Sequence, residues 1–262
     1  MGHSTDRRLP IPSFTWAGPS RDAGRCAPAT HVLFSRAMPA RERFDEAYYR
    51  RHYRGPDRVH SASQVGRLAS GVAGLADWLG VDLRAVLEVG AGPGFWRAWF
   101  RRHRPAVRYV STDASPFACK RFGHLLRDVS AWRPRGRFDL VVCQGVLQYL
   151  DDARAGRAIA NLATASRGLL YLEAITRHDL DEVLDAERSD TEIHARTGDW
   201  YRAALDPHFL QVGAGLWAAR SAGIPLYELE GAPVHSRLRR QSSAARAGSQ
   251  AARLGRSGLQ ES

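Results

Sequence analysis

The glycine-rich segment VLEVGAGPG, residues 86–94, constrains the fold of this chain more than any other feature. An apolar run that leads into glycines spaced two apart predicts a buried strand, a tight turn and a helix. The segment matches neither common phosphate-binding pattern. The dinucleotide fingerprint needs a glycine one residue after Gly94, and the P-loop needs a lysine where Phe95 and Trp96 follow. Glu88 would repel a phosphate and suit a cationic ligand.

After Gly80 the chain alternates between apolar runs typical of buried strands and amphipathic runs typical of helices. Strands separated by helices predict an α/β protein with a doubly wound, mostly parallel sheet. The last two predicted strands are joined by only four residues, and so short a connection predicts an antiparallel hairpin. The predicted strands are 85–90, 107–113, 124–129, 138–144, 168–174, 208–220 and 225–230.

The formal net charge of +11 is concentrated at the ends of the chain. Residues 1–40 contain five Arg and two Asp, and residues 235–262 contain six Arg and one Glu. Neither end has helical or strand periodicity, so both are expected to be disordered basic extensions. They could instead touch RNA or a membrane surface. The globular domain is expected over 41–234, beginning with two helices at 41–53 and 61–80.

The three cysteines, Cys26, Cys119 and Cys143, lie far apart and in no metal-ligand spacing. So sparse and odd a set predicts a reducing, cytoplasmic environment and no metal site. No run approaches the roughly 20 apolar residues that span a bilayer, so no membrane segment is expected. The N-terminus also has no apolar segment of the kind that secretory signals carry.

Polar residues end the predicted strands that lie beside the glycine turn. Ligands of open α/β sheets bind at this carboxyl edge. Asp113 ends the second strand, where a carboxylate can accept hydrogen bonds from both hydroxyls of a ribose. Asp128 ends the third strand, where an adenine amino group could lie, and Gln144 ends the fourth. The pattern predicts a nucleoside ligand, although both acids could simply cap or terminate their elements.

The segments VLEVGAGPG, YVSTDAS, LLRDVS and FDLVVCQGVLQYLDD, in this order and spacing, resemble the class I S-adenosylmethionine-dependent methyltransferases. The resemblance covers roughly residues 42–231. It implies a Rossmann-like, seven-stranded sheet ending in an antiparallel hairpin. It also implies that 41–234 is a methyltransferase domain with an N-terminal helical lid, and that S-adenosylmethionine is the cofactor.

The same resemblance assigns roles to individual residues. The turn of Gly90, Gly92 and Gly94 would hold the methionine part of the cofactor. Glu88 would support the turn, the cofactor's amino group, or both. Asp113 would bind the ribose, and Asp128 with the backbone of Val129 would frame the adenine. Gln144 would lie near the methionine end. In the lid, Arg54 could pair with the methionine carboxylate or be solvated.

The acceptor is less constrained by the sequence. The segment CQGVLQY stands where enzymes of exocyclic base nitrogens have a polar-Pro-Pro-aromatic tetrad, so nucleic acid is not the expected substrate. The prediction is direct, in-line methylation of a small molecule. A non-catalytic cofactor-binding protein and an RNA or protein methyltransferase are the alternatives. No oligomeric state is predicted.

No catalytic residue is assigned from the sequence. His178 and Asp179, just past the strand at 168–174, are the best-placed general bases if the acceptor atom is oxygen. Asp179 could instead cap a helix. The acid-rich stretch 179–192 could attract a cationic acceptor or form a solvated surface.

Overall fold

The sheet is central to the computed structural model, which describes residues 43–55, 58–184 and 189–231. Its strand order is β3-β2-β1-β4-β5-β7-β6. The first five strands run parallel, and β7 pairs antiparallel with both β5 and β6. The strands β1 to β7 span Ala85–Val89, Arg108–Asp113, Leu125–Leu126, Phe138–Gln144, Ser166–Glu173, Phe209–Gly213 and Leu216–Ala219. The predicted seven-stranded Rossmann-like fold is confirmed.

Helices cover both faces of this sheet. In the described part of the chain α1 to α7 span Glu46–Tyr53, Ala62–Trp78, Phe95–His103, Pro116–Phe122, Asp152–Ala165, Arg177–Glu182 and Gly198–Leu205. Side-chain oxygens begin most of them: Ser61 and Gln64 form a reciprocal capping box at the start of α2, and Ser115 and Asp151 cap α4 and α5. Such caps satisfy backbone N–H groups that a first helical turn leaves without partners.

Successive strand residues enter opposite halves of the core because side chains alternate along a strand. Val86 packs against α2 and α3, among Val72, Trp96 and Phe100. Leu87 packs on the other face against α5 and α7, among Ile159 and Leu205. The strand β1 is buried at all five positions. This double burial explains why the strand reads as a continuous apolar run.

The terminal hairpin is in a different place from the prediction. Both of its strands lie inside the segment 208–220, and residues 225–230 form no strand. The segment reverses at Ala214 and Gly215, and the three residues Gly213, Ala214 and Gly215 have φ angles of 127°, 49° and 78°. Two glycines make this backbone accessible. The prediction of a single strand over 208–220 was wrong, because the positive φ angles at residues 213–215 reverse the chain within this apolar run.

The predicted extensions 1–40 and 235–262 lie outside the described residues, so their predicted disorder stays a prediction. In the described ranges no helix is both long and apolar enough to cross a membrane. Nor, within those ranges, do three or more His, Cys, Asp or Glu side chains come together in an arrangement that could hold a metal ion.

Candidate active site

The glycine turn connects β1 to α3 at the carboxyl edge of the sheet. Gly90, Gly92 and Gly94 have φ angles of 68°, 52° and 79°, a left-handed conformation that disfavours side chains. Space is also restricted at Gly90, because a Cβ atom there would lie 2.2 Å from Cγ2 of Val146. The N–H of Gly92 donates to Oδ2 of Asp113 at 2.9 Å. The turn is therefore fixed by its own backbone and by β2.

Replacing Gly90 with alanine is expected to lower the free energy of unfolding by about 2 kcal/mol, because a left-handed alanine and a crowded methyl group both cost energy. Gly71→Ala is the matched control. Gly71 lies inside α2, and a Cβ atom there would have no neighbour within 4 Å, so alanine should stabilise the helix by up to about 1 kcal/mol. Urea denaturation measures both changes. Equal effects of the two substitutions would contradict the strained turn.

Two buried polar side chains support the turn from below. Glu88 is 3% exposed and accepts a hydrogen bond from the Tyr109 hydroxyl at 2.9 Å. Burial raises the pKa of Glu88 to about 8, so its carboxyl group is mostly protonated at neutral pH. His124 lies 2.9 Å from the Gly92 carbonyl oxygen and 2.9 Å from the Ser111 hydroxyl. Burial lowers the pKa of His124, which favours the neutral ring.

A cavity of about 170 Å³ extends from the glycine turn along the carboxyl edge of the sheet; we call it the chamber. The turn forms one end and the last residues of β4 and β5, Gln144 and Glu173, form a wall. A short 3-10 turn, Leu147–Tyr149, adds Gln148 and Tyr149. Helix α1 forms the roof. The chamber lining includes Tyr48, His52, Tyr53, His60, Glu88, Gly90, Gly92, Trp96, Gln144, Gln148, Tyr149, Glu173 and Asp190.

Gln144 is held from two sides at the end of β4. Its Oε1 accepts a hydrogen bond from the Trp96 indole at 2.8 Å, and its Nε2 donates to the Glu173 carboxylate at 3.2 and 3.3 Å. The Tyr171 hydroxyl donates to the same carboxylate at 2.9 Å. His60 Nε2 lies 3.8 Å from Glu173 Oε1. The structure thus places Gln144 in the chamber wall and adds Glu173 and His60 beside it.

Gln148 has an unsatisfied polar atom. Its side chain is 2% exposed, and Oε1 finds no hydrogen-bond partner among the described residues. Leaving a buried acceptor unpaired costs about 1–3 kcal/mol, and this oxygen has almost no accessible surface, so it is a cost of the fold and is not open to the chamber. No role for Gln148 or Glu173 was predicted from the sequence. Glu173 could have been found, because it ends β5 as Gln144 ends β4.

Polar contacts join the roof to the chamber wall. The hydroxyls of Tyr48 and Tyr149 lie 3.0 Å apart, and burial raises the pKa of Tyr48 above its usual range. Arg43 donates to both carboxylate oxygens of Asp190 at 2.9 Å and lies 4.9 Å from the centre of the Tyr149 ring. Asp190 belongs to the acid-rich stretch, and its charge is compensated by Arg43.

Asp113, the residue predicted to bind the ribose, lies beneath the roof. Asp113 is 6% exposed, and its two carboxylate oxygens accept the N–H groups of Gly92 and Ser115. Burial raises the pKa of Asp113 despite these hydrogen bonds. Helix α1 packs over this region: a Cβ atom on Gly92 would lie 3.8 Å from the Tyr53 hydroxyl. A ribose contact for Asp113 stays a prediction.

The residues predicted to frame the adenine are held by the protein. Asp128 accepts hydrogen bonds from the backbone and hydroxyl of Ser130 and from Arg154 at 2.8 Å. Burial alone would raise the pKa of Asp128, but these contacts keep it below its usual value. Val129 is buried, and its carbonyl accepts from the Asn161 amide at 2.8 Å. Neither residue lines the chamber, so their adenine contacts stay predictions.

Arg54 ends α1 and is exposed. It lines a second cavity of about 150 Å³ together with Tyr49, Pro93, Phe95 and Phe122, rather than the chamber. Its pairing with a methionine carboxylate stays a prediction, and the structure gives it no direct support.

The two candidate bases are not in the chamber lining. His178 is exposed on α6. Asp179 forms a reciprocal capping box with Thr176, accepting its backbone N–H and its hydroxyl at 2.8 Å. The capping alternative is therefore the correct interpretation of Asp179. The geometry gives neither position support as a general base.

The family follows from a match to the sequence. Residues 61–213 match the model of the methyltransferase domain, which is more than half of the chain. The chain therefore belongs to the S-adenosylmethionine-dependent methyltransferase family, a family of enzymes. This confirms the predicted family, its enzymatic nature and its cofactor. No curated protein matches the sequence.

Several solved structures match the chain at low sequence identity. An O-methyltransferase family protein from Burkholderia thailandensis is 16% identical, with 62% of this chain and 59% of that chain covered and a TM-score of 0.46. Magnesium protoporphyrin IX methyltransferase from Synechocystis PCC 6803 is 15% identical, with coverage of 72% and 97% and a TM-score of 0.45. An N-methyltransferase from Bradyrhizobium japonicum WM9 is 20% identical, with coverage of 69% and 95% and a TM-score of 0.43. The chain spans about three fifths of the length of the first.

Proposed function

We propose that the chain transfers a methyl group from S-adenosylmethionine to a small-molecule acceptor inside the chamber, and that it does so in the cytoplasm. The observation that carries this proposal is the continuity of the chamber. One roofed cavity joins the glycine turn to Gln144 and Glu173 at the ends of β4 and β5. A cavity of about 170 Å³ under a helix suits a small acceptor better than a polymer.

The residues present fit the methionine end of the cofactor. Gly90 and Gly92 line the chamber, and Glu88 and Gln144 offer polar groups beside them. The adenosine end would lie toward Asp113, Asp128 and Val129. Because Tyr53 rests over Gly92, α1 must move for the whole cofactor to enter. This supports the role of α1 as the lid that the resemblance implies.

The roof is joined to the domain by both polar and aromatic contacts. The polar ones are the Tyr48–Tyr149 hydroxyl pair, the Arg43–Asp190 ion pair, and a hydrogen bond from Ser115 Oγ to the Phe44 carbonyl. The aromatic ones include the rings of Phe117 and Phe122 against Tyr49, which is buried. Opening would replace the polar contacts by water at modest cost and would expose the Tyr49 ring. Closure would exclude water from the reacting atoms.

The cofactor supplies a methyl group on a positively charged sulfur. The chain's task is to hold the acceptor's lone pair in line with the carbon–sulfur bond, which can contribute roughly 7–11 kcal/mol to lowering the barrier. Gln144 is fixed by Trp96 and Glu173, so the chamber wall is rigid enough for such positioning. No covalent enzyme intermediate is needed.

Calorimetry tests the cofactor site. S-adenosylhomocysteine is expected to bind, whereas NAD and ATP are not, because the turn lacks both phosphate-binding patterns. Asp113→Asn should weaken binding by about 1–3 kcal/mol through its unpaired polar groups. Wild type should prefer S-adenosylhomocysteine to its 2′-deoxy analogue, and the variant should lose that preference. Asp82→Asn, on an exposed residue, is the control.

Transfer itself is tested with radiolabelled S-adenosylmethionine and a cell extract, with the products separated by size. Label in the small-molecule fraction supports the proposal. Label in RNA or protein would favour the macromolecular alternative, and cofactor binding without labelled product would favour a binding protein.

A further inference from the structure

Helix α1 lies across the place where the sequence predicts the ribose of the cofactor. That place is bounded by Gly92 of the glycine turn and by Asp113 at the end of β2, which are joined by a hydrogen bond of 2.9 Å. A Cβ atom on Gly92 would lie 3.8 Å from the Tyr53 hydroxyl and 3.9 Å from Cε1 of Tyr49. Two tyrosine side chains of α1 therefore lie directly against the turn.

Tyr49 is the most deeply buried of these two tyrosines. It is 7% exposed, and its ring centre lies 5.5 Å from that of Phe117 and 5.9 Å from that of Phe122, both on α4. Burial and the charge of the nearby Asp113 raise the pKa of Tyr49 above its usual range. The ring is thus held between the glycine turn, Asp113 and α4, which is where a ribose bound by Asp113 and the turn would lie.

The chamber ends at the same helix. Gly92 and Gln144 line the chamber, whereas Asp113 lines neither of the two cavities described above. Past the end of β2, Ser115 Oγ donates a hydrogen bond to the Phe44 carbonyl just before α1, which continues the cover. The methionine end of the predicted cofactor site therefore opens into the chamber, while its ribose end is filled by α1.

This overlap gives α1 a second role. We propose that α1 is an autoinhibitory element: the Tyr49 ring occupies the ribose position, so the cofactor binds fully only after α1 has moved away from the glycine turn. This inference rests on the proposed function, because it takes the glycine turn as the binding site of S-adenosylmethionine. The observed dissociation constant is then the intrinsic constant divided by the fraction of molecules in which α1 is displaced. Any change that loosens α1 from this position must tighten cofactor binding.

A helix that acts only as a lid predicts the opposite sign. If α1 kept its present position over a bound cofactor, the contacts seen here would stabilise the bound state, and loosening them would weaken binding. An autoinhibitory α1 instead leaves the ribose position first and closes over the cofactor from a different position. The direction of the affinity change therefore distinguishes the two arrangements.

Two substitutions loosen α1 in different ways. Tyr49→Ala removes the ring at the ribose position together with its contacts to α4. Arg43→Gln breaks the ion pair with Asp190 just before α1, and Arg43 lines neither of the two described cavities. Tyr227→Ala, at a tyrosine that is 78% exposed, is the matched control.

Calorimetry on the full chain at pH 7 measures the binding of S-adenosylhomocysteine and of adenosine. Tyr49→Ala is expected to bind both ligands at least about fivefold more tightly than wild type, and Arg43→Gln at least about twofold more tightly. Adenosine is uncharged, so its tighter binding to Arg43→Gln cannot come from the charge that Asp190 regains. Tyr227→Ala should bind both ligands with wild-type affinity.

The contrary results are equally specific. Unchanged or weaker binding of S-adenosylhomocysteine by Tyr49→Ala would overturn the autoinhibitory role; if circular dichroism shows that this variant does not fold, the same result for Arg43→Gln would do so. Tighter binding of S-adenosylhomocysteine but not of adenosine would assign the gain to charge and would overturn the role as well. Failure of wild type and of both loosened variants to bind S-adenosylhomocysteine would instead count against the proposed function itself.

Discussion

Replacing Arg196 with methionine is expected to lower the free energy of unfolding by about 2–4 kcal/mol, because two carbonyl oxygens lose hydrogen bonds from a charged donor. The Arg196 side chain is only 4% exposed. Its guanidinium donates to the carbonyls of Leu147 and Leu150 and pairs with Asp152 at 2.8 Å. Methionine is similar in length but donates no hydrogen bond, so the two carbonyls lose this partner.

The same substitution should disturb the part of the chamber wall formed by the 3-10 turn Leu147–Tyr149. The two carbonyls that Arg196 binds bracket Gln148 and Tyr149, and Arg196 also donates to the Tyr201 hydroxyl at 3.3 Å. Losing these contacts frees the short turn that carries both chamber residues.

Arg202→Met provides the matched control for stability. Arg202 is 52% exposed and pairs with Asp199 three residues earlier on α7. Exposed pairs of this kind contribute about 0.2–1 kcal/mol. Urea denaturation at pH 7 measures both variants. If Arg196→Met cost no more than Arg202→Met, the buried network would not hold the turn.

Apolar strand patterns and the polar residues that end the strands predicted much of the fold and one end of the candidate active site. The buried strands at 85–90 and 138–144 were recognisable because both faces of the sheet are covered, and the glycine turn was recognisable from its spacing. Gln144 lies in the chamber wall because it ends β4 at the ligand-binding edge of the sheet. Gln148 was not predicted, because a glutamine in a short 3-10 turn has no sequence signal until the fold buries it.

For Asp113 and Arg54, the sequence could not predict which cavity each residue would face, and the reason is different. Their relation to a ligand depends on how α1 packs on the glycine turn, and that contact joins residues about 40 positions apart in the chain. Helical periodicity predicted that α1 has an apolar face. It could not predict that Tyr53 would cover Gly92 while Arg54 lined a second cavity.

The stability of the wild type relative to that of Glu88→Gln is expected to fall as pH rises from about 5 to 8. Burial raises the pKa of Glu88 from an ordinary 4.5 to about 8. Between these values the folded state holds a proton that the unfolded state has released. The stabilisation is complete below the unfolded pKa and is lost toward pH 8, a change of about 3 kcal/mol at about 1.4 kcal/mol per pH unit.

Denaturation at pH 5, 6.5 and 8 measures the difference between wild type and variant. Gln keeps an oxygen that can accept the Tyr109 hydrogen bond, so the variant should fold. Glu192→Gln, on an exposed side chain, is the control and should follow the wild-type curve. A parallel pH dependence of Glu88→Gln and wild type would show that Glu88 is not the titrating group.

The protonation of Glu88 also separates its two predicted roles. A carboxylate that binds the cofactor's ammonium group must be ionised, so at pH 7 binding would expel the proton that Glu88 carries. Calorimetry of S-adenosylhomocysteine binding in phosphate and in Tris would detect this release, because the two buffers take up protons with different heats. Wild type should then release close to one proton more than Glu88→Gln. Equal proton release by the two proteins would mean that Glu88 stays protonated and only supports the glycine turn from below.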